Sequence, residues 1–387
     1  MLELGQFLAA PFATSMLAAH GAEVIKVEAP GSGDPIRRWR RMHGDTSVWW
    51  YAISRNKKCI TCNLRTPEGQ DLVRRLVESG IDVVVENFRP GTLERWNLGY
   101  EDLRRVKADV VLVRISGYGQ TGPYASRPGF ANVAEAFGGL RHLTAEPGRP
   151  PVRSGLSLGD TIAGLHAAFA ALAAIYERDR SGQGQEVDVA LYESVFNLTE
   201  SLLPEYDLFG HVRMPTGAAL EGVVPSNSYP TADGKWVAIG ANADGLYVRL
   251  MELVGRPDLA TDPALATNDG RVARADEIDA AIAAWTRARP RDDVLAALVD
   301  AGIPAGPIND IADIVADPHV RARGIVDRVT LPDGTPLSIV APLPRFGRTP
   351  GRTEHPGPAL GEHNREVYGS LGLSDEDLAE LAERGVV

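Results

Sequence analysis

The sequence predicts an α/β protein: a large unit built on a parallel sheet, followed by a smaller α+β unit. Three observations carry this. Short Val/Ile-rich runs alternate with helical stretches through the first half of the chain, the pattern of a parallel sheet covered on both faces. Near residue 225 the pattern changes to two strands joined by a turn and then a run of helices. With 387 residues, 44% of them apolar and 24% charged, the chain has material for roughly two domains with a sizeable core.

Met1-Leu2-Glu3-Leu4 reads as a stub of strand, and Gln6 to Pro11 as a loop. Pro11 suits a helix start, and the helix continues to His20. Gly21 ends it, and Ala22–Glu28 is a strand. A Gly/Pro loop, Ala29–Asp34, then opens onto Arg37-Arg38-Trp39-Arg40-Arg41. Thr66 as cap and Pro67 at the first helical position start a helix that runs to Glu78; Gly80 closes it before the strand Asp82–Glu86. After the loop Asn87–Gly91 come a short helix to Trp96, a helix from Tyr100 to Val106 and the strand Asp109–Ser116. In such sheets ligands collect on loops beyond the carboxyl ends of the strands, here those after Glu28, Glu86 and Ser116.

The stretch Gly155–Gly164 leads into Leu165–Ile175, an uncharged run without a helix breaker. It reads as a buried helix, apolar on all sides. Gln185–Leu191 alternates polar and apolar residues as a half-buried strand does. Residues 204–224 show little periodicity and read as a linker. Beyond it lie the two strands within Tyr229–Ile239, helices near Gly245–Val254, Ala275–Ala288 and Arg291–Ala301, and an extended Ile303–Ile308. Short strands follow His319, and a helical pair spans Glu362 to Glu383.

Composition narrows the function. A net charge of −11 argues against broad nucleic-acid binding and against a membrane-surface role. No uninterrupted apolar run approaches the ~20 residues of a membrane span. The N-terminus lacks the pattern of a secretory leader, and two cysteines make no disulfide framework, so a cytoplasmic protein is expected. Cys59 and Cys62 form a C-x-x-C, but on a strand their side chains face opposite ways, and no second pair completes a zinc site. No metal is expected.

Several motifs bear on chemistry. Gly117-Tyr118-Gly119-Gln120-Thr121-Gly122 has the letters of a dinucleotide loop, but Pro123 and Pro128 interrupt the helix that would receive a pyrophosphate. Gly155-Leu156-Ser157-Leu158-Gly159 matches a nucleophile elbow, which with a downstream acid and His363 would make a serine hydrolase; Arg149–Arg153 is a poor strand to precede it. In an acidic protein the Arg37–Arg41 cluster suits a small polyphosphate ligand, and Arg65, Arg89 and Arg95 fall on neighbouring loops of the same predicted edge. Asp160 falls at a helix start, where unpaired N–H groups and the helix dipole favour a carboxylate. It reads either as an N-cap or as a carboxylate nucleophile beside glycines that let a substrate approach.

The ordered set Gly21–Glu28, Gly31–Asp34, Asn56–Lys58, Thr66–Gly69, Glu86–Gly91, Ser116–Gly119, Leu158–Asp160, Gly182–Gln185 and Leu360–His363 resembles the family III CoA-transferases over nearly the whole chain. The resemblance implies an interlocked homodimer, each subunit having a Rossmann-like large domain and a small one. The implied division is 1–203 for the large domain, a linker at 204–224, the small domain at 225–315, a linker at 316–335, and a return of 336–387 to the large domain. It implies coenzyme A thioesters as substrates, with a small carboxylic acid as the second partner. In the family the aspartate matching Asp160 attacks the thioester, giving a mixed anhydride and then an aspartyl-CoA thioester. CoA contacts carry over to Gln6, Phe7, Ala9, Arg37, Arg65, Asn87, Phe88 and Arg95. Related acyl-CoA racemases use a histidine where this chain has Phe130, which cannot carry a proton. Gln6 stands where some transferases have histidine, and the glycine-rich flap of oxalate-type members is absent around Gly240–Asp244. Both departures bear on the acceptor acid.

Overall fold

The computed structural model describes residues 1–387. The apolar runs form strands β1 (Leu2–Glu3), β2 (Val24–Glu28), β5 (Lys57–Thr61), β6 (Val83–Glu86), β7 (Val111–Ser116) and β8 (Glu186–Ala190), with a small hairpin of β3 (Met42–His43) and β4 (Thr46–Ser47) between β2 and β5. The six longer-range strands make one sheet in the order β5-β2-β1-β6-β7-β8, every neighbouring pair parallel. Counted along the chain this is the doubly wound order 3-2-1-4-5-6. The two-residue stub β1 is its centre: Leu2 pairs with Ile25 and Val84, and Glu3 with Lys26 and Val85. Strand order reverses between β1 and β6, so the crevice of the fold opens above those two strands.

Helices α1 (Ala9–Ala18), α2 (Val48–Ile53), α3 (Pro67–Glu78), α4 (Thr92–Arg95), α5 (Tyr100–Val106), α6 (Ala131–Phe137), α7 (Leu140–Leu143) and α8 (Leu158–Ser181) follow. The Thr66 hydroxyl accepts the Gly69 N–H at 3.1 Å and caps α3 as its sequence predicts. Because successive strand residues face opposite ways, Val84 and Leu112 pack with the apolar face of α3, while Val83, Val85, Val111 and Val113 pack with α1 and α8.

Helix α8 departs from the expectation of burial on all sides. Its inward face is small: Ala163, Gly164, Ala167, Ala168, Ala171 and Ala174. A Cβ on Gly164 would lie 2.9 Å from the Ala9 carbonyl oxygen, which is how closely α8 lies on α1. The large residues point outward instead, Leu165, Phe169, Leu172 and Tyr176 being 46%, 72%, 56% and 59% exposed. By length and composition α8 is apolar enough to cross a membrane, yet its alanine face belongs to the core around the sheet.

The chain divides into two units, the first comprising Met1–Arg141, Ser154–Ser201 and His319–Val387. The second comprises His142–Arg153 and Leu202–Pro318. It contains an antiparallel sheet of β9 (Ser226–Pro230), β10 (Trp236–Gly240) and β11 (Ala305–Pro307), with β10 in the middle. Helices Asp244–Leu253, Ala275–Arg287 and Arg291–Asp300 supply Tyr247, Ile278, Ile282 and Val294 to its core. Where a linker was expected, Leu202–Phe209 is helical; Pro204 is tolerated there because it falls in the first turn.

Back in the first unit, β12 (Val326–Thr330) and β13 (Pro336–Val340) form a hairpin. The C-terminal segment then covers the outer edge of β5. Cys59 N–H donates to His363 Nδ1 at 3.2 Å, Thr61 N–H to Asn364 Oδ1 at 2.8 Å, and the Tyr368 hydroxyl to the Thr61 carbonyl at 2.7 Å.

Candidate active site at the sheet crevice

The loops leaving β1 and β6 are tied together by one side chain. Asn87 Oδ1 accepts the Gln6 N–H at 2.8 Å, and Asn87 Nδ2 donates to the Gln6 carbonyl at 2.7 Å. The next residue, Phe7, has φ of 61°, a left-handed conformation uncommon for a bulky side chain. Asp34 holds it there, its two carboxylate oxygens each 3.2 Å from the Phe7 nitrogen. Asp34 is itself 2.8 Å from Lys26 Nζ, and Lys26 is bonded to Glu3 at 2.7 Å. A buried charge network under the sheet centre therefore sets the backbone at the crevice. The Phe7 ring leans on Trp39 at 5.0 Å, and the Phe88 ring meets Trp96 edge-on at 5.2 Å.

The arginines divide into two kinds. Arg37 is buried: its Nε and Nη2 donate to the two oxygens of Glu28 at 2.7 and 2.8 Å, and its guanidinium lies 3.6 Å from the Trp50 ring centre. Arg38, Arg40 and Arg41 are exposed, as are Arg65, Arg89 and Arg95. Arg95 Nη2 donates to Thr92 Oγ1 at 2.9 Å, and the Arg65 backbone N–H to Asn63 Oδ1 at 3.2 Å. Ala9, at the head of α1, is buried against Gly164.

Asp160 is the third residue of α8; the cap residue is Ser157. Both α1 and α8 run from the carboxyl to the amino end of the sheet. For α8 the far end is fixed by Arg178 Nη1, 2.7 Å from Asp82, which immediately precedes β6. Since Gly164 lies against Ala9, Asp160 stands one turn, about 6 Å, nearer the crevice. The start of α8 also packs on α6, for a Cβ on Gly159 would lie 3.0 Å from the Ala131 carbonyl oxygen. Sequence reasoning missed one residue here. Glu135, buried on α6, accepts the Gly159 N–H through Oε1 at 3.2 Å. That N–H is thereby engaged by a carboxylate beside the proposed nucleophile. A carboxylate six residues before Arg141 carried no sequence signal distinguishing it from a surface residue.

The other motifs take structural places. Cys59 and Cys62 are buried free thiols; burial raises both, Cys62 to about 12, so neither is a thiolate near neutral pH. No helix follows Gly122 until Ala131, and no strand lies immediately before Gly155, the preceding one ending at Ser116. A groove of about 560 Å³ lined by His20, Glu23, Lys58, Arg348 and Arg352 lies at the amino end of β2, opposite the crevice. Its position sets it apart from the candidate site.

A doubly wound sheet, with exposed arginines on loops at the carboxyl ends of its strands and a long helix that starts at the same end, defines an α/β protein of the kind that binds ligands where its strand order reverses. Residues 1–364 match the model of CoA-transferase family III, and the chain belongs to that family. It is 49% identical, over 100% of its length and 96% of the relative's, to a succinyl-CoA–D-citramalate CoA-transferase of Chloroflexus aurantiacus. A succinyl-CoA:glutarate CoA-transferase of Homo sapiens is 32% identical over 100% of this chain and 88% of that one. Among solved structures, a CaiB/BaiF family protein from Brucella suis superimposes with a TM-score of 0.84 at 35% identity, covering 96% of this chain and 97% of that one.

Proposed function

We propose that this protein transfers CoA from an acyl-CoA to a carboxylic acid, with Asp160 as the nucleophile. The observation that carries the reading is the position of Asp160 at the crevice end of α8, in a chain 49% identical end to end with a named CoA-transferase. The names of several relatives pair succinyl-CoA with a dicarboxylic acid, so succinyl-CoA as donor and a C4–C5 dicarboxylate as acceptor are proposed here too.

In the proposed sequence an Asp160 oxygen attacks the thioester carbonyl and the C–S bond breaks, leaving CoA thiolate and an aspartyl mixed anhydride. Thiolate then attacks the Asp160 carbonyl carbon, the donor acid leaves as its carboxylate, and an aspartyl-CoA thioester remains. The acceptor carboxylate repeats these steps in reverse and restores Asp160. No separate base is needed, because the nucleophile is a carboxylate. Gln6, Phe7, Asn87 and Phe88 are proposed to line the CoA site at the crevice, and Arg65 and Arg95, both exposed, to meet CoA phosphates. Ala9 supports α8, and Arg37 holds the loop after β2 through Glu28. Phe130 in place of a proton-carrying residue supports transfer over racemization.

The outward row Leu165, Phe169, Leu172 and Tyr176 supports a homodimer, since a second copy would remove it from water. The large domain is proposed as residues 1–203 with 336–387, and the small domain as 225–315. A reducing cytoplasm suits the two free thiols. Incubation with succinyl-CoA followed by hydroxylamine should convert the Asp160 peptide to its hydroxamate, and Asp160→Ala should bind CoA without transferring it. A label on Ser157, or normal turnover by Asp160→Ala, would refute the mechanism.

A further inference from the structure

The second carboxylate beside Asp160 brings an arginine with it. Glu135 Oε1 accepts the Gly159 N–H at 3.2 Å, and Oε2 accepts from Arg141 Nη2 at 3.1 Å. Glu135 is 2% exposed and links the guanidinium to the first turn of α8. It does not use the whole guanidinium. Arg141 Nε is shut off from solvent and donates to nothing, while the side chain as a whole is 26% exposed. A buried N–H without an acceptor is costly, and most such groups in folded proteins are satisfied. An arginine presents five donors in a fixed fork, and this one commits a single nitrogen.

We propose that Arg141 binds the distal carboxylate of a dicarboxylic acyl group carried on Asp160, and so selects succinyl over uncharged acyl chains. This rests on the reading of Asp160 as nucleophile. The reach is right. One carboxylate bridges Gly159 N and Arg141 Nη2, which puts them about 8.5 Å apart at most. An extended four-carbon diacid separates its carboxyl carbons by about 4 Å, and a carboxylate–guanidinium pair adds about 4 Å more.

The test compares succinyl-CoA with butyryl-CoA, equal in chain length and lacking only the distal charge. In the wild type, kcat/KM should favour succinyl-CoA. In Arg141→Met that preference should fall by about 10- to 100-fold, the loss expected for one charge-assisted contact. Arg141→Lys should recover part of it. A drop of the same factor for both donors would mean that Arg141 only props Glu135, and would overturn the proposal. So would a wild type indifferent to the distal carboxylate, which succinate and butyrate as product inhibitors report without any variant. Absence of transfer from every donor would instead refute the transferase reading itself.

Discussion

Replacing Glu3 by glutamine should destabilise the protein and flatten its acid response, by amounts the geometry sets. Glu3 lies at the sheet centre with Lys26 Nζ at 2.7 Å and Lys57 Nζ at 2.8 Å, all three side chains essentially inaccessible. Burial pushes the Glu3 carboxyl up, but the two lysines together pull it further down, from 4.5 to about 2. A carboxylate whose folded pKa is depressed stabilises the fold above its unfolded pKa and loses that contribution as pH falls toward the folded value. At 1.36 kcal/mol per unit, the shift corresponds to about 3 kcal/mol, present near pH 5 and above and lost between there and pH 2. Glu3→Gln also leaves two buried cations sharing Asp34 and the carbonyls of Gly5 and Pro11, a loss of about 3–5 kcal/mol at neutral pH. Urea denaturation followed by tryptophan fluorescence, from pH 2 to 7, measures both. The variant should be weaker at pH 7 and should show a shallower fall below pH 5. A variant within about 1 kcal/mol of wild type at pH 7, or one with an unchanged acid slope, would refute the assignment of the network as the support of the crevice.

Arg37→Ala should cost about 3–5 kcal/mol of stability by stranding buried Glu28, while exposed Arg95→Ala should leave stability within about 0.5 kcal/mol and weaken CoA binding by about 1–3 kcal/mol in calorimetry. Gly164→Ala gains about 1 kcal/mol of helix propensity but drives a methyl into the Ala9 carbonyl, so denaturation should report a net loss of about 1–2 kcal/mol. Phe169→Glu should shift the protein toward monomer in analytical ultracentrifugation; an unchanged sedimentation coefficient would remove the α8 row from any self-association surface. With 2-methylacyl-CoA in D₂O, no deuterium should enter the α-carbon, and rapid Asp160-dependent exchange would contradict the choice of transfer over racemization.

Much of this was legible wherever a local rule acts alone. Thr66-Pro67 marks the start of α3, and Val83–Val85 a strand buried on both faces, because caps and apolar runs are written in adjacent residues. The crevice was harder to read. Met1–Leu4 reads only as a stub of strand, and the central place of β1 in the sheet follows from partners 23 and 82 residues away, which no local pattern announces. Charge was misleading too: Arg37 reads like its neighbours Arg38 and Arg40, and only its pairing with Glu28, nine residues earlier across the loop after β2, turns it inward. Helix α8 looked uniformly apolar, and residue size, not polarity, distinguishes its two faces. Asp160 could be singled out, but Glu135 and Arg141 become a pair only once α6 meets the start of α8.

The cover on β5 sets a schedule for synthesis. Thr61 and Asn364 are 303 residues apart, and a ribosome adding about 5–20 residues per second needs roughly 15–60 s to cross that interval. For that time a nascent chain carries a strand edge whose Cys59 and Thr61 amides have no cover, open to pairing with a neighbouring nascent chain on the same message. Premature termination before His363 turns a passing hazard into a permanent one. His363, Asn364 and Tyr368 thus close the one sheet edge at β5 although they lie some two hundred residues from Asp160 in sequence.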